Sequence, residues 1–297
     1  VNENTPIDAC PLCGGGRRPL FEKFGHRLSA CADCETGSIA PFPTAQQLRE
    51  LYTLDYFKGD RKKFGYSDYA AESANHARSF ASRAALLSEL VPGKGRILDL
   101  GCANGAFLSA LGPGWEKHGV ELSKEFVEAC PPPSEVRLFV GDFMDYPEAA
   151  GSFDAVTLFD FLDHVPKPLE ALQKAVRLLR PGGVLVVQQG DRSSLFARLL
   201  GKRWHIYIPP THLWYFTRKG LHGFLRKLGL DCVRDVYEPR WASVTLCLFR
   251  LSYIVPAKWV DPLLALARKS WWGDVAVRFN FRDVVTVYAV KGAACPR

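Results

Sequence analysis

With 297 residues, 47% of them hydrophobic, the chain can bury a full core, either as one large domain with an appendage or as two smaller units. Its formal net charge of +7 is spread along the sequence, which permits an anionic partner without arguing for one and reads as a solvated basic surface. No stretch reaches the ~20 uninterrupted apolar residues of a membrane-spanning helix, so a transmembrane segment is excluded.

The first residues, Val1 to Asp8, carry neither a positive start nor an apolar run, so no secretory signal is expected. Nine cysteines without such a signal point to a reducing, cytoplasmic setting, where they serve as metal ligands or buried thiols. Four of them stand as Cys10-Pro-Leu-Cys13 and Cys31-Ala-Asp-Cys34, with seventeen residues between the pairs. Two knuckles at that separation can place four thiolates around one Zn2+, and Gly14 to Gly16 give the first knuckle freedom to turn. A site filled by four sulfurs has no open position for water or substrate, so this zinc is expected to be structural. His26, between the knuckles, reads as a surface residue. Residues 1–43 are therefore expected to form a zinc ribbon.

After Pro41 and Pro43, Thr44 reads as the N-cap of a short helix. An aromatic run follows, Tyr52, Tyr56, Phe57, Phe64, Tyr66 and Tyr69, interleaved with Lys58, Arg61, Lys62 and Lys63. Alternating aromatics and cations can stack bases and hold phosphates, but the favoured reading is an arm docked on the main domain. A helix from about Ala70 to Leu90 stops at Pro92-Gly93, which makes 44–92 a helical arm.

The apolar run Ile97 to Leu100 turns at Gly101 and Gly105 into the helix-compatible Ala106 to Leu111, a buried parallel strand passing into a helix, with a ligand site at the strand's carboxyl end. Ala103 takes the place of the second glycine of a dinucleotide fingerprint and no Lys-Ser/Thr pair follows, so a phosphate-bearing cofactor is disfavoured. Trp115 to Val120 reads as the second strand, ending in Glu121, where a carboxylate can accept both hydroxyls of a ribose. Val136 to Val140 is the third, followed by Gly141-Asp142, a carboxylate placed for an adenine amine. Phe153 to Phe159 is the fourth, opened by Asp154 in a structural role and followed by Asp160-Phe-Leu-Asp-His164-Val. A helix with Leu169, Leu172, Val176 and Leu179 on one face stops at Arg180-Pro-Gly-Gly183, and Val184 to Val187 is the fifth strand of a doubly wound parallel sheet.

In order, Asp99-Leu-Gly-Cys-Ala-Asn-Gly105, Glu121, Gly141-Asp142, Asp160-Phe-Leu-Asp-His-Val165 and Leu179-Arg-Pro-Gly-Gly183 resemble the landmarks of class I S-adenosylmethionine-dependent methyltransferases, close to the branch with ubiquinone-type and sugar methyltransferases. The resemblance implies a Rossmann-like α/β domain over 93–297 and a cofactor-binding set of Asp99, Gly101, Cys102, Gly105, Glu121, Leu122, Asp142, Phe143 and Asp160. In it Asp99, Gly101 and Gly105 shape the methionine pocket, Glu121 holds the ribose, Asp142 meets the adenine and Asp160 lies near the methionine ammonium. Pro209-Pro-Thr-His212-Leu-Trp-Tyr-Phe216 resembles a segment of related bacterial enzymes that lies over the acceptor side. A helix capped by Thr217 follows, then strands Asp231 to Tyr237 and Asp283 to Val290, similar to the antiparallel closing hairpin of that fold. Between them the Trp- and Leu-rich insertion 238–281 is too long for a plain hairpin loop; a helical lid ranks first, ahead of a dimer surface and a membrane-interface element.

The expected reaction is methyl transfer to a small-molecule acceptor at oxygen or carbon, without a magnesium-binding carboxylate cluster. An RNA methyltransferase, with the ribbon and the Tyr56 to Tyr69 segment on nucleic acid, is the runner-up; a methyltransferase-like scaffold whose ribbon binds a protein comes third. A histidine suits removal of an acceptor proton near neutral pH. Of seven histidines, His212 leads, then His164, with Tyr215 a further candidate; His205 has no assigned place.

Overall fold

The computed structural model describes residues 9–51, 71–147, 149–252 and 254–292. Its centre is a seven-stranded sheet of β4 (Gly95–Leu100), β5 (Trp115–Glu121), β6 (Val136–Val140), β7 (Phe153–Phe159), β8 (Leu179–Gly190), β10 (Leu230–Val236) and β13 (Val284–Lys291). The order is β10-β13-β8-β7-β4-β5-β6, with β13 antiparallel to both its neighbours. The chain reverses direction across the sheet between β4 and β7, so their carboxyl ends open a crevice, the usual ligand site of such sheets. This is the Rossmann-like doubly wound fold expected of the ordered motifs.

Alternation along the strands sorts their side chains onto two cores. Leu98, Leu100, Val156, Leu158, Leu185 and Val187 face one layer, with α5 (Pro168–Leu178) and α7 (Arg218–Lys227). Ile97, Ala155, Val184 and Val186 face the other, where Ala84 and Leu87 of α2 (Ser73–Leu90) and Phe107 of α3 (Ala106–Ala110) pack. The Pro-Gly-Gly stretch does not simply end a helix. It belongs to β8 as a bulge, pairing jumping from Phe153↔Leu179 to Ala155↔Val184, with Gly182 at φ +75°.

The N-terminal cysteines lie on a second sheet, β1 (Arg17–Lys23), β2 (His26–Cys31) and β3 (Gly37–Ala40), antiparallel throughout. Its fourth strand, β9 (Trp214–Tyr215), comes from the Pro-Pro-Thr-His segment. Thr44 heads α1 (Ala45–Leu51), its Oγ1 accepting from Gln47 N at 3.2 Å. The aromatic and cationic run from Tyr52 to Tyr69 lies outside the described residues.

The insertion is a hairpin carrying helices. β11 (Arg240–Ser243) pairs with β12 (Ala276–Phe279), and α8 (Val244–Leu251) and α9 (Ala257–Ala267) lie between them. It is tied to α2: Trp241 N donates to Ser79 Oγ at 2.8 Å and Ser243 N to the buried Glu72 carboxylate at 3.1 Å. Among the described residues no helix is long and apolar enough to cross a membrane.

Candidate functional site

The crevice is built on left-handed backbone. Gly101 and Gly105 sit at φ +71°, and a Cβ on Gly101 would stand 3.1 Å from the Phe161 ring, so only glycine makes this turn without strain. Ala103 and Asp160 adopt φ +47° and +49°, which side-chain-bearing residues seldom do and which cluster at ligand sites. Gly101 N and Cys102 N both donate to Val120 O, at 2.8 and 3.0 Å, folding the loop over the end of β5. The Cys102 thiol points away into the core under Gly119.

Glu121 is buried at that end. One carboxylate oxygen accepts from Ala103 N and the other from Ser123 N, both at 3.0 Å. Each oxygen keeps lone-pair capacity for a further donor such as a ribose hydroxyl, with its direction already set. Asp99, fully enclosed, accepts from Thr157 Oγ1 at 2.6 Å, and burial pushes its carboxyl up to about 7. Leu122 is exposed beside Glu121.

Asp142 caps the turn after β6, its Oδ1 accepting from Met144 N at 2.8 Å, while Phe143 is buried against Phe161. Lys174 pins this turn. Its ammonium donates to the carbonyls of Phe143, Met144 and Tyr146 at 2.7, 2.6 and 2.9 Å, a role hidden in the sequence because Lys174 sits among the apolar positions of α5. Asp160 accepts from Gln188 Nε2 at 3.0 Å. Gln188 Oε1 in turn accepts from Arg83 Nε at 2.8 Å, and Arg83 pairs with Glu238 at 3.1 Å, their side chains only 2% and 5% exposed. A buried chain of contacts thus joins the site to α2 and to the root of the insertion.

Beyond Asp160 the structure gathers Asp163, His164 and His212. His212 Nδ1 stands 3.3 Å from Asp163 Oδ2, His164 Nε2 3.8 Å from Oδ1, and the two imidazoles meet edge to face at 4.7 Å. His164 Nδ1 donates to Thr211 O at 3.1 Å, which leaves its Nε2 lone pair turned to the carboxyl. Burial holds both histidines below their usual range, His164 at about 4, so both are neutral at pH 7. Burial, then the charge of Asp160, pushes Asp163 well up. Their ligand atoms lie within 4.8 Å of one another, so the same set can share a proton or hold a cation. Asp163 went unremarked in the sequence because its partner arrives from the Pro-Pro-Thr-His segment. Tyr215 is buried, and its hydroxyl donates to His212 O at 3.0 Å.

At the N-terminus Cys10 Sγ lies 3.7 Å from Cys34 Sγ, and Cys13 Sγ 3.4 Å from Cys31 Sγ. A tetrahedral ion with metal–sulfur bonds of ~2.3 Å needs sulfurs about 3.8 Å apart, so the cluster fits a metal of that kind. His26 is not among the four. The second knuckle rests on α7, where a Cβ on Gly220 would stand 2.5 Å from Cys34 O.

Residues 71–235 match the protein family described as a methyltransferase domain. The ubiquinone biosynthesis O-methyltransferase of Xanthomonas axonopodis pv. citri is 31% identical over 176 residues, which cover 51% of this chain and 70% of that protein. The enzyme of the same description from Alkalilimnicola ehrlichii is 33% identical over 161 residues, covering 50% of this chain and 58% of its own length. Among solved structures, a 1,6-didemethyltoxoflavin-N1-methyltransferase of Burkholderia thailandensis, with bound 1,6-didemethyltoxoflavin and S-adenosylhomocysteine, covers 93% of this chain and 99% of its own at a TM-score of 0.50 and 14% identity, a likeness of fold. The cysteine ribbon and the insertion both lie outside the matched residues.

Proposed function

The chain belongs to the family of S-adenosylmethionine-dependent methyltransferases, and we propose that it methylates a small-molecule acceptor at oxygen or carbon. The observation that carries the acceptor side is the 3.3 Å approach of His212 Nδ1 to the buried Asp163, just past the loop that carries Asp160. Two neutral imidazoles and one carboxyl lie together at the carboxyl edge of the sheet, the imidazole nitrogens facing the carboxyl free to accept a proton.

When bound, S-adenosylmethionine supplies an electrophilic methyl on a sulfonium leaving group. The groups around the crevice suit it: Glu121 for the ribose diol, Asp142 for the adenine amine, and Asp160 with Asp99 and the Gly101 to Gly105 turn for the methionine end. Cys102, Leu122 and Phe143 contribute backbone and apolar wall. His212 takes the proton of the acceptor hydroxyl or carbon acid, with His164 second and Asp163 sharing the charge that develops. Tyr215 holds the His212 carbonyl and so fixes the loop. The relatives named as ubiquinone biosynthesis O-methyltransferases support a small-molecule acceptor.

The Cys10, Cys13, Cys31 and Cys34 cluster is assigned a structural Zn2+, and the protein a reducing, cytoplasmic setting. On this reading 1–43 is the zinc ribbon, 44–92 the arm, and 93–297 the catalytic domain with 238–281 folded over α2 as its cover. The RNA reading rests on the Tyr56 to Tyr69 segment, outside the described residues, together with the ribbon and the net positive charge, and no further observation favours it. The deciding experiment incubates the protein with methyl-labelled S-adenosylmethionine and with separated metabolite and RNA pools. Label should enter a small-molecule fraction; label confined to RNA would overturn the assignment.

A further inference from the structure

Around Asp163, acceptor atoms face one another with no hydrogen bond between them. His164 Nδ1 donates to Thr211 O at 3.1 Å, so its Nε2 carries the lone pair, and that atom stands 3.8 Å from Asp163 Oδ1. His212 Nδ1 lies 3.3 Å from Asp163 Oδ2. Asp163 Oδ1 and His212 Nδ1 are both buried, and neither makes a hydrogen bond among the described residues. A single proton can relieve one of these facing pairs, whereas a cation relieves both at once.

The spacing is close to that of ligands on one ion. Metal–nitrogen and metal–oxygen bonds of ~2.1 Å put neighbouring ligand atoms ~3.0 to 3.4 Å apart. The His212 and Asp163 pair already stands at 3.3 Å, and all the ligand atoms lie within 4.8 Å of one another, so small side-chain rotations close the rest. The backbone holds the two segments at this distance. Leu213 N and Trp214 N donate to Asp163 O at 2.7 and 3.3 Å, Trp214 Nε1 to Val165 O at 2.9 Å, and the Tyr215 hydroxyl to His212 O at 3.0 Å. Thr211 O fixes the His164 ring through Nδ1, the carbonyl support that metal-bound imidazoles commonly have. None of these bonds uses one of the facing atoms.

The geometry points to a second metal site, separate from the cysteine cluster, in which Asp163, His164 and His212 hold one divalent transition ion of the Zn2+, Fe2+ or Co2+ kind. Two nitrogens and one oxygen favour such an ion over Mg2+, which takes oxygen ligands. Three protein ligands leave coordination positions open. The His164 and His212 side chains are 17% and 13% exposed against 5% for Asp163, so the open positions lie on the imidazole side. Resting on the methyltransferase reading above, those positions receive an acceptor hydroxyl, whose proton is lost to solvent more readily beside the ion. The electron pair so freed forms the new oxygen–carbon bond as the sulfur–methyl bond breaks and its pair stays on sulfur. His212 is a ligand in that state and serves as base in the chain without the ion.

The test uses the full chain with zinc in the cysteine cluster, checked by metal analysis, and titrates Co2+, Zn2+ and Mg2+ by calorimetry near neutral pH. One further equivalent of Co2+ or Zn2+ should bind, at least about a hundredfold more tightly than Mg2+. X-ray absorption at the cobalt edge of the wild-type chain should show nitrogen and oxygen ligands with imidazole scattering and no sulfur, a readout that needs no variant. Asp163→Asn and His212→Gln should each weaken Co2+ binding at least about tenfold, with the cluster zinc and S-adenosylhomocysteine affinity retained. Loading the second site should also raise the transfer of methyl label into the metabolite fraction several-fold. No further equivalent, sulfur around the cobalt, or a Co2+ affinity that survives both substitutions overturns the site. A bound ion that leaves methyl transfer unchanged overturns its place at the acceptor. Failure of S-adenosylhomocysteine to bind would instead remove the methyltransferase reading, and the metal measurements stand apart from it.

Discussion

Tyr215 pairs across a sheet edge with Gly37, and Trp214 with Ser38, so the segment that carries His212 is the fourth strand of the cysteine ribbon. Ile39 N donates to Leu213 O at 3.1 Å, Arg192 reaches the Glu35 carbonyl, and Lys219 pairs with Glu35. The ribbon therefore holds the His212 segment from outside the central sheet. The four-cysteine cluster, β3, β9 and His212 form one mechanical sequence.

That sequence predicts how the enzyme fails without metal. Chelation at neutral pH, or Cys31→Ser, should lower the melting temperature and cut turnover at least tenfold, while S-adenosylhomocysteine affinity changes less than threefold, because the hydrogen bonds that set the Gly101 turn and Glu121 run among Gly101, Cys102, Ala103, Val120 and Ser123. Metal analysis, calorimetry and a labelled-methyl assay on one preparation check this. Equal loss of cofactor binding and turnover would place the ribbon's effect in global folding.

His212→Ala should lower turnover by about 10²-fold or more at saturating cofactor with cofactor affinity retained, and Asp163→Asn should do the same to a lesser degree. Both variants also lose a buried contact, so thermal melting is followed alongside. Turnover within a few-fold of wild type in His212→Ala and in His164→Ala would leave alignment alone as the source of catalysis.

Glu121→Ala removes the carboxylate that Ala103 N and Ser123 N orient. Loss of two charge-assisted hydrogen bonds to a ribose should weaken cofactor binding by about 1.5 to 3 kcal/mol, more than tenfold. Calorimetry with S-adenosylhomocysteine measures it. An unchanged dissociation constant would take Glu121 out of the site.

What the sequence shows and hides follows from how local each feature is. The turn at Gly101 is legible because a left-handed residue at the end of a buried strand demands glycine within a few positions. Glu121 is legible because parallel pairing of β4 with β5 fixes where a strand-end carboxylate falls. Asp163 is hidden because its meaning depends on a two-residue strand, too short to announce itself by alternation, that delivers His212. Lys174 is hidden for the opposite reason: a charge on an apolar helix face reads as an irregularity until three carbonyls are found around it. The insertion reads as helical from its Trp and Leu content, yet what anchors it is the hairpin at its root, carried by Ser243 and Trp241.

The stability contributed by two buried histidines should fall on acidification, against an opposite contribution from the raised carboxyls of Asp99 and Asp163, which take up protons in the fold. Burial lowers His76 from 6.5 to about 4, and His164 likewise. The unfolded chain then binds protons that the folded one refuses, so the stability these groups contribute is complete above about pH 6.5 and is lost as pH falls from there toward 4. Each group can cost up to about 1.4 kcal/mol per pH unit in that window. Relative to His76→Gln, the wild-type urea midpoint should fall between pH 7 and pH 5. A difference that stays constant across that range would show that the fold does not hold His76 neutral.

Arg83 and Glu238 offer the sharpest test of how the insertion reaches the site. Their pair is enclosed at 3.1 Å, Arg83 also donates to Gln188 Oε1, and Gln188 Nε2 donates to Asp160. Arg83→Met strands the Glu238 carboxylate without its partner, a change of the kind that costs about 3 to 5 kcal/mol, whereas Arg83→Met with Glu238→Gln removes both charges and should recover much of that loss. The single variant should also weaken cofactor binding, because Gln188 loses the donor that orients it toward Asp160 and that residue's left-handed backbone loses a support. Urea unfolding and S-adenosylhomocysteine titration of the two variants separate the effects. If the double variant regains stability while cofactor affinity stays low, Arg83 positions Asp160 directly; if affinity returns with stability, the pair serves only to seat the insertion on α2.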